Sequence, residues 1–190
     1  MTDRPPSLYG RVLGDDFQRM PAPVQALHAL ITTTEVNGRG RVERGHDPIA
    51  RLIGLLFRFP PAQADVPVKV RFTIDAAGET WQRDFAGHRF RSRLASRRRG
   101  DRIILTETFW PLTFDFDLSG HERGLEMKVR GWRVFGVTLP LKFAPQISAT
   151  ERAEGGRFTF EVRIALPGGR LIVHYRGFLE GPLQVAQNST

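Results

Sequence analysis

Arg83, Glu107 and Glu151 are the residues of this chain whose types and spacing point to chemistry, because each falls in step with large apolar side chains. In Trp81-Gln82-Arg83-Asp84-Phe85, Arg83 shares parity with Trp81 and Phe85. In Ile103-Ile104-Leu105-Thr106-Glu107-Thr108-Phe109, Glu107 shares parity with Ile103, Leu105 and Phe109, and Glu151 keeps step with Ile147 and Ala149. Strand side chains alternate faces with period two, so these charges are expected to point where the apolar residues point. Three chemistries follow. An Arg–Glu pair can fix strand register, since a lone ion in a low-dielectric interior is very costly. The planar donor fork of Arg83 can hold a carboxylate or phosphate of an amphipathic ligand. Glu107 and Glu151 can act as a pair of carboxylates in acid/base catalysis, provided they share a cleft. Near the C-terminus Tyr175 keeps step with Leu171 and Val173, and His174 with Ile172 and Phe178. The sequence leaves open which set turns inward, so both are weak catalytic candidates.

The elements that must position these residues are strands. About ten short runs lie between Thr34 and Leu179, the first at 32–44 and the others at 68–74, 80–85, 88–96, 102–109, 112–118, 125–134, 146–152, 158–166 and 171–179. Turn signals such as Ala77-Gly78, Ala86-Gly87, Gly155-Gly156 and Gly168-Gly169 separate them. Short connections and this strand count predict an antiparallel meander that curls or closes. Gly38 and Gly40 fall on one face of the first run, which marks a bend or a close approach by another group.

Residues 1–31 read as helical. Leu8, Val12 and Leu13 recur at helical spacing after Pro5 and Pro6, and Val24, Leu27, His28 and Ile31 form a second stripe after Pro21. Asp47-Pro48 opens a further helix near 48–58, with an N-cap acid and proline in the first turn. Its apolar stripe, Ile49, Leu52, Ile53, Leu56 and Phe57, is the ordinary signal of packing on a sheet. A lid over a barrel mouth or a surface touching lipid is the alternative.

A length of 190 residues suits one domain, with 181–190 as a tail. The chain has no cysteine, which excludes disulfides, thiolate metal sites and cysteine nucleophiles. The five histidines show no paired metal-ligand spacing, so no metal is expected. No Walker loop, dinucleotide fingerprint or Gly-x-Ser-x-Gly elbow is present, so no nucleotide cofactor is expected. No secretory signal or apolar span is seen, which predicts a cytoplasmic, soluble protein. The net charge of +8 comes mostly from arginine, and Arg91, Arg93, Arg97, Arg98, Arg99 and Arg102 crowd one hairpin. Without interleaved stacking aromatics these read as a solvated turn, and nucleic acid is not the expected partner.

Several stretches together resemble a bacterial family, DUF4166, a domain of unknown function. They are Leu8-Tyr9, Leu13-Gly14, Phe17 and Val42-Glu43-Arg44-Gly45, then Glu79 to Phe85 with Phe90 and Ser92. Leu105-Thr106-Glu107, Arg157-Phe158 and His174 to Leu179 complete the resemblance. Trp110-Pro111 stands where the family pattern has Gly-Pro. The resemblance implies that Trp81, Arg83 and Glu107 act as one unit. It also implies a dehydrogenase-like partner, because similar domains can follow a nucleotide-binding domain, and with it metabolism of a small or lipid-like substrate.

The expected architecture is α+β and mostly antiparallel β, with N-terminal helices packed on a strongly curved sheet or barrel, a lipocalin-like or helix-grip-like cup. The leading expectation is a small-molecule or lipid-binding module. Its pocket is lined by Trp81, Phe85, Phe90, Phe114, Phe116, Phe158 and Phe160, and Arg83 with Glu107 orients the ligand's polar end. The rivals are a carboxylate-dependent isomerase or hydrolase, and an interaction domain associated with a dehydrogenase.

Overall fold

The hydrophobic alternation closes on itself. A computed structural model describes residues 7–181 of the chain. Pro5 and Pro6, expected to open the first helix, and 182–190 of the expected tail lie outside the described residues.

Three short helices come first: α1 (Leu8–Leu13), α2 (Asp16–Arg19) and α3 (Ala22–His28). Ser7 caps α1 by accepting from the Gly10 N–H at 3.1 Å. The first strand β1 (Thr34–Arg44) leads into helix α4 (Pro48–Leu56). There follow β2 (Gln63–Asp75), β3 (Gly78–Phe85), β4 (His88–Arg99), β5 (Arg102–Phe109), β6 (Leu112–His121) and β7 (Gly124–Val134). The two-residue strand β8 (Val137–Thr138) and a 3-10 turn (Leu141–Phe143) precede β9 (Gln146–Glu154), β10 (Arg157–Ala165) and β11 (Leu171–Leu179).

All pairings are antiparallel, in the order β6-β5-β4-β3-β2-β1-β11-β10-β9-β7-β8, and β6 also pairs with β7. That last pairing closes a ten-strand barrel, and β8 folds back as a short antiparallel partner of the end of β7. The result is the lipocalin-like cup expected from the strand count, with a few short helices added.

One strand start was hidden by a proline. β2 begins at Gln63, five residues before the expected 68, and runs through Pro67. β3 ends opposite Val68, so the segment before it has a neighbour only in β1 and behaves there as an edge that tolerates proline.

The two glycines of β1 answer to both a bend and a close approach, but the approaching group is backbone. The β1–β2 register shifts between Gly40 and Val42. A Cβ on Gly38 would lie 1.9 Å from the Phe178 carbonyl oxygen of β11.

The helices divide the barrel into two ends. α1, α2 and α3 pack against β4, β5, β6, β9 and β10 at the end holding the β6–β7 turn, where Gly120 meets Asp16 and Met20. α4 and the β5–β6, β7–β9 and β10–β11 connections lie at the other end.

Helix α4 corrects an expectation. Asp47 caps it as anticipated, accepting from the Ile49 and Ala50 N–H groups at 2.9 and 3.2 Å. Of the expected stripe, Ile53 packs partly against the core and Phe57 is half-buried, but Ile49, Leu52 and Leu56 face outward with Leu55, and the fully buried positions are Ala50 and Gly54. The reason is Arg44, which donates to the Ile172, Phe59 and Pro60 carbonyls at 3.0–3.1 Å. A Cβ at Gly54 would lie 1.6 Å from its guanidinium, so the seat of α4 is shaped for a bare backbone. No helix among the described residues is long and apolar enough to cross a membrane. The outward strand positions carry Arg39, Arg41, Lys69, Arg71, Glu161 and Arg176, whereas a membrane-spanning barrel needs an apolar outer band.

Candidate functional site

The lumen contains a cavity lined mainly by inward strand positions: Val68, Val70 and Phe72 of β2, Phe116 of β6, Met127 of β7, and Phe158, Phe160, Val162 and Ile164 of β10. It gives about 80 Å³ to the centres of water-sized groups, enough for several waters or a slender ligand when each water needs roughly 10–15 Å³ of such room. Ile147, Phe160, Val162 and Ile164 point inward and are nevertheless partly exposed. All four lie on β9 and β10, with the Ile147–Ile164 pair near the end away from α1–α3, which marks that side as the mouth.

Arg83 and Glu107, placed by parity, meet inside the barrel. Arg83 donates from Nη1 to Ser92 Oγ at 2.9 Å and from Nη2 to Glu107 Oε1 at 3.3 Å. Its guanidinium carbon lies 5.0 Å from the Trp81 ring centroid and 5.7 Å from that of Phe90, within cation–π range. Both ions are largely withdrawn from water, with side chains 13% and 9% exposed.

Glu151 lines the same cavity, as do Tyr9 and Tyr175. Glu151 Oε2 makes a short hydrogen bond with His28 Nε2. His28 is sandwiched, with its ring centroid 3.8 Å from Tyr9 and 5.8 Å from Trp81. Its Nδ1 is buried without a hydrogen-bond partner among the described residues. Beneath Trp81, the indole N–H donates to Glu79 Oε2 at 2.9 Å.

Burial raises the pKa of three groups here, Glu79, Tyr9 and Tyr175. Desolvation raises Glu79, only partly offset by its hydrogen bond from Trp81. Desolvation, reinforced by Glu151, Glu79 and Glu107, pushes the Tyr9 phenol well above its ordinary value. Tyr175 is pushed up to about 12, mainly by desolvation, with Arg83 opposing. Both phenols are therefore hydrogen-bond donors at neutral pH.

Of the residues expected at the site, Trp81, Arg83, Phe85, Glu107, Phe116, Phe158 and Phe160 line the cavity. Phe90 lies behind Arg83, stacked on Phe85 at 5.9 Å, and Phe114 packs on Trp132 outside the lining. Glu107, Glu151 and Tyr175 converge on the cavity, and the face of β11 left open by the sequence is settled in favour of Tyr175. His174 is on the outer wall, 2.9 Å from Glu161 and 3.6 Å from Glu43. The arginine hairpin is dispersed: Arg93 pairs with Asp75 at 2.6 Å, Arg97 with Asp115 at 2.6 Å, and Arg91 sits toward the opposite end of β4.

His28, Tyr9 and Glu79 escaped the sequence reading. The available signal was a polar ring inside the apolar stripe Val24, Leu27, His28, Ile31. No group of three or more metal-ligating side chains occurs among the described residues.

The class defined by this fold and lumen is a closed antiparallel β-barrel, plugged by helices at one end, with a polar cluster inside an apolar cup. The chain belongs to the family described as Domain of unknown function (DUF4166), whose model matches residues 20–179. A comparison with curated proteins found no match. Among solved structures, the chain is similar to one titled "Crystal Structure of Rv2717c from M. tuberculosis". The identity is 14%, with 85% of this chain and 98% of that chain covered and a TM-score of 0.43.

Proposed function

We propose that the barrel binds one small amphipathic molecule in its lumen, with an apolar body toward the mouth and an uncharged hydrogen-bonding end at Arg83 and Glu107. The observation that carries this reading is the convergence of Arg83, Glu107, Glu151, Tyr9 and Tyr175 on a single apolar cavity. A few placed polar groups on apolar walls are the usual make-up of a small-molecule site. Charge decides the chemistry of the ligand's polar end. Arg83 is already neutralised by Glu107, and a carboxylate or phosphate beside it would face Glu107 and Glu151 as well. A hydroxyl or carbonyl accepts from the arginine or a phenol, or donates to a carboxylate, without importing charge. The absence of cysteine fits a reducing compartment, and the cytoplasm is the location we adopt.

Native mass spectrometry of the protein purified from its own host tests this reading. The expected result is a discrete extra mass, lost on denaturation and belonging to an alcohol or carbonyl compound. Recovery of a fatty acid or phosphate ester contradicts the charge argument, and a bare protein mass contradicts tight carriage.

A second reading has a specific observation in its favour. Glu107 and Glu151 line one cavity, and Glu151 is bound to a buried histidine, so a carboxylate-dependent isomerase or hydrolase has the groups it needs. Turnover of a carried ligand that stops in Glu151→Gln while binding persists is the result this second reading requires.

A further inference from the structure

The mouth end of the barrel is apolar on the outside as well. Of the large hydrophobic residues exposed among the described residues, all but Ile31 and Ile103 lie at this end. Leu55 is 76% exposed and Trp110 80% exposed. They belong to one surface: Leu56 and Trp110 line the same cleft, and the Trp110 ring lies 5.7 Å from that of Phe135. Isolated exposed hydrophobics are ordinary, but a concentration at one pole marks a contact surface.

The free charge around this surface has one sign, because the carboxylates at the adjoining strand ends, Asp65, Asp84 and Glu43, are paired with Arg39, Arg89 and Arg41. The connections 45–62, 86–87, 110–111, 135–145 and 166–170 contain a single carboxylate, Asp47. Asp47 is spent on capping α4 and on Arg170 at 2.6 Å. Arg51, Arg58 and Lys142 lie on these connections, and Arg58 and Arg91 line the cleft with Trp110. None of these four cations makes an ion pair among the described residues. Apolar side chains at the apex, a tryptophan beside them and unpaired cations are what an anionic bilayer surface accepts. A protein partner of ordinary composition needs no such single-signed rim.

We infer that this pole, formed by the outer face of α4 with the Trp110 and Phe135 turns, docks on the surface of an anionic lipid bilayer, with Arg51, Arg58, Arg91 and Lys142 against the headgroups. Docking goes beyond the lumen reading and does not rest on it. It does place the mouth against the membrane. A file of aromatic rings leads inward from there: Phe57 to Phe59 at 6.1 Å, Phe59 to Phe90 at 5.5 Å, and Phe90 to Phe85 of the lumen wall.

The test is co-sedimentation of the full chain with vesicles of phosphatidylcholine alone or in equal parts with phosphatidylglycerol, at low and high salt. The double variant Leu55→Asp/Leu56→Asp alters only exposed positions. The double variant Arg98→Glu/Arg99→Glu alters the basic tip at the opposite end. Light scattering of each protein without lipid reports its oligomeric state. The expected result is a monomer that binds the anionic vesicles and not phosphatidylcholine, with binding weakened at high salt. Binding should fall about tenfold or more in the leucine double variant and stay unchanged in the arginine-tip variant. Absence of binding to anionic vesicles at low salt overturns the inference. So does binding that survives the leucine changes or requires Arg98 and Arg99. A dimer that the leucine changes dissociate also overturns it, in favour of a second copy of this chain as the occupant.

Discussion

Arg83 and Glu107 come from strands β3 and β5 and meet inside the barrel, with Nη2 3.3 Å from Oε1 and β4 supplying Ser92 between them. Arg83 thereby links three neighbouring strands through two hydrogen bonds in a largely apolar wall. Removing either partner strands a buried charge, whereas removing both leaves an apolar surface.

A double-mutant cycle follows. Arg83→Leu and Glu107→Leu should each destabilise by about 3–5 kcal/mol, and the double variant should lose less than the sum of the two. Urea unfolding at neutral pH measures all four proteins. Additive losses contradict a coupled pair.

The chain has two tyrosines, Tyr9 and Tyr175, and both are buried with raised pKa values. Between the ordinary value near 10 and the folded value of about 12 for Tyr175, the unfolded chain has lost protons that the folded chain keeps. Stability from this source therefore falls as pH rises through that window. Tyrosinate absorbance should be absent in the native protein near pH 10 and appear with unfolding. A reversible native titration near pH 10 would show that a phenol is open to water.

Glu79 gives the corresponding prediction in acid. Its folded pKa is raised above 4.5 by burial, so the folded chain holds a proton that the unfolded chain releases as pH climbs past that value. Stability declines through the window and the loss is complete above the folded pKa. Glu79→Gln keeps an acceptor for the Trp81 N–H and removes the ionisation. The variant should be more stable than wild type at pH 7, with the difference vanishing near pH 4. Equal stabilities at both pH values contradict the assignment.

Gly38 is fixed by the β1–β11 contact. Gly38→Ala should destabilise by roughly 1–3 kcal/mol, because the Phe178 carbonyl that its methyl meets is part of the sheet. Gly87→Ala, where the space is open and φ is +93°, adds backbone strain without a clash and serves as the comparison in the same thermal melts.

Much of the wall was legible because the alternation is regular: all ten barrel strands lie where the apolar runs do, and Arg83 and Glu107 turn inward as their parity requires. Closure was not, since the β6–β7 and β7–β9 pairings are set by curvature accumulated over the whole sheet. The direction of α4 was not legible either. Its stripe obeys the helical period, but Arg44 occupies the seat and meets the bare backbone of Gly54, which leaves Ile49, Leu52 and Leu56 outward. The deep half of the site was lost for a related reason. Tyr9 and His28 sit on short helices, and only the folding of those helices over the barrel end brings His28 to Glu151, 123 residues away. His174 shows the limit of residue type as a guide, being a histidine beside two carboxylates that faces away from the lumen.

The most direct test of lumen binding is fluorescence titration with N-phenyl-1-naphthylamine, a neutral apolar dye, on wild type and on Ala149→Trp. Ala149 lines the cavity, and an indole there fills it. Saturable one-to-one binding by wild type, displaced by 1-decanol more readily than by decanoate and lost in Ala149→Trp, is the predicted result. Dye binding unaffected by Ala149→Trp, or no saturable binding to the wild type, would contradict a ligand-holding lumen.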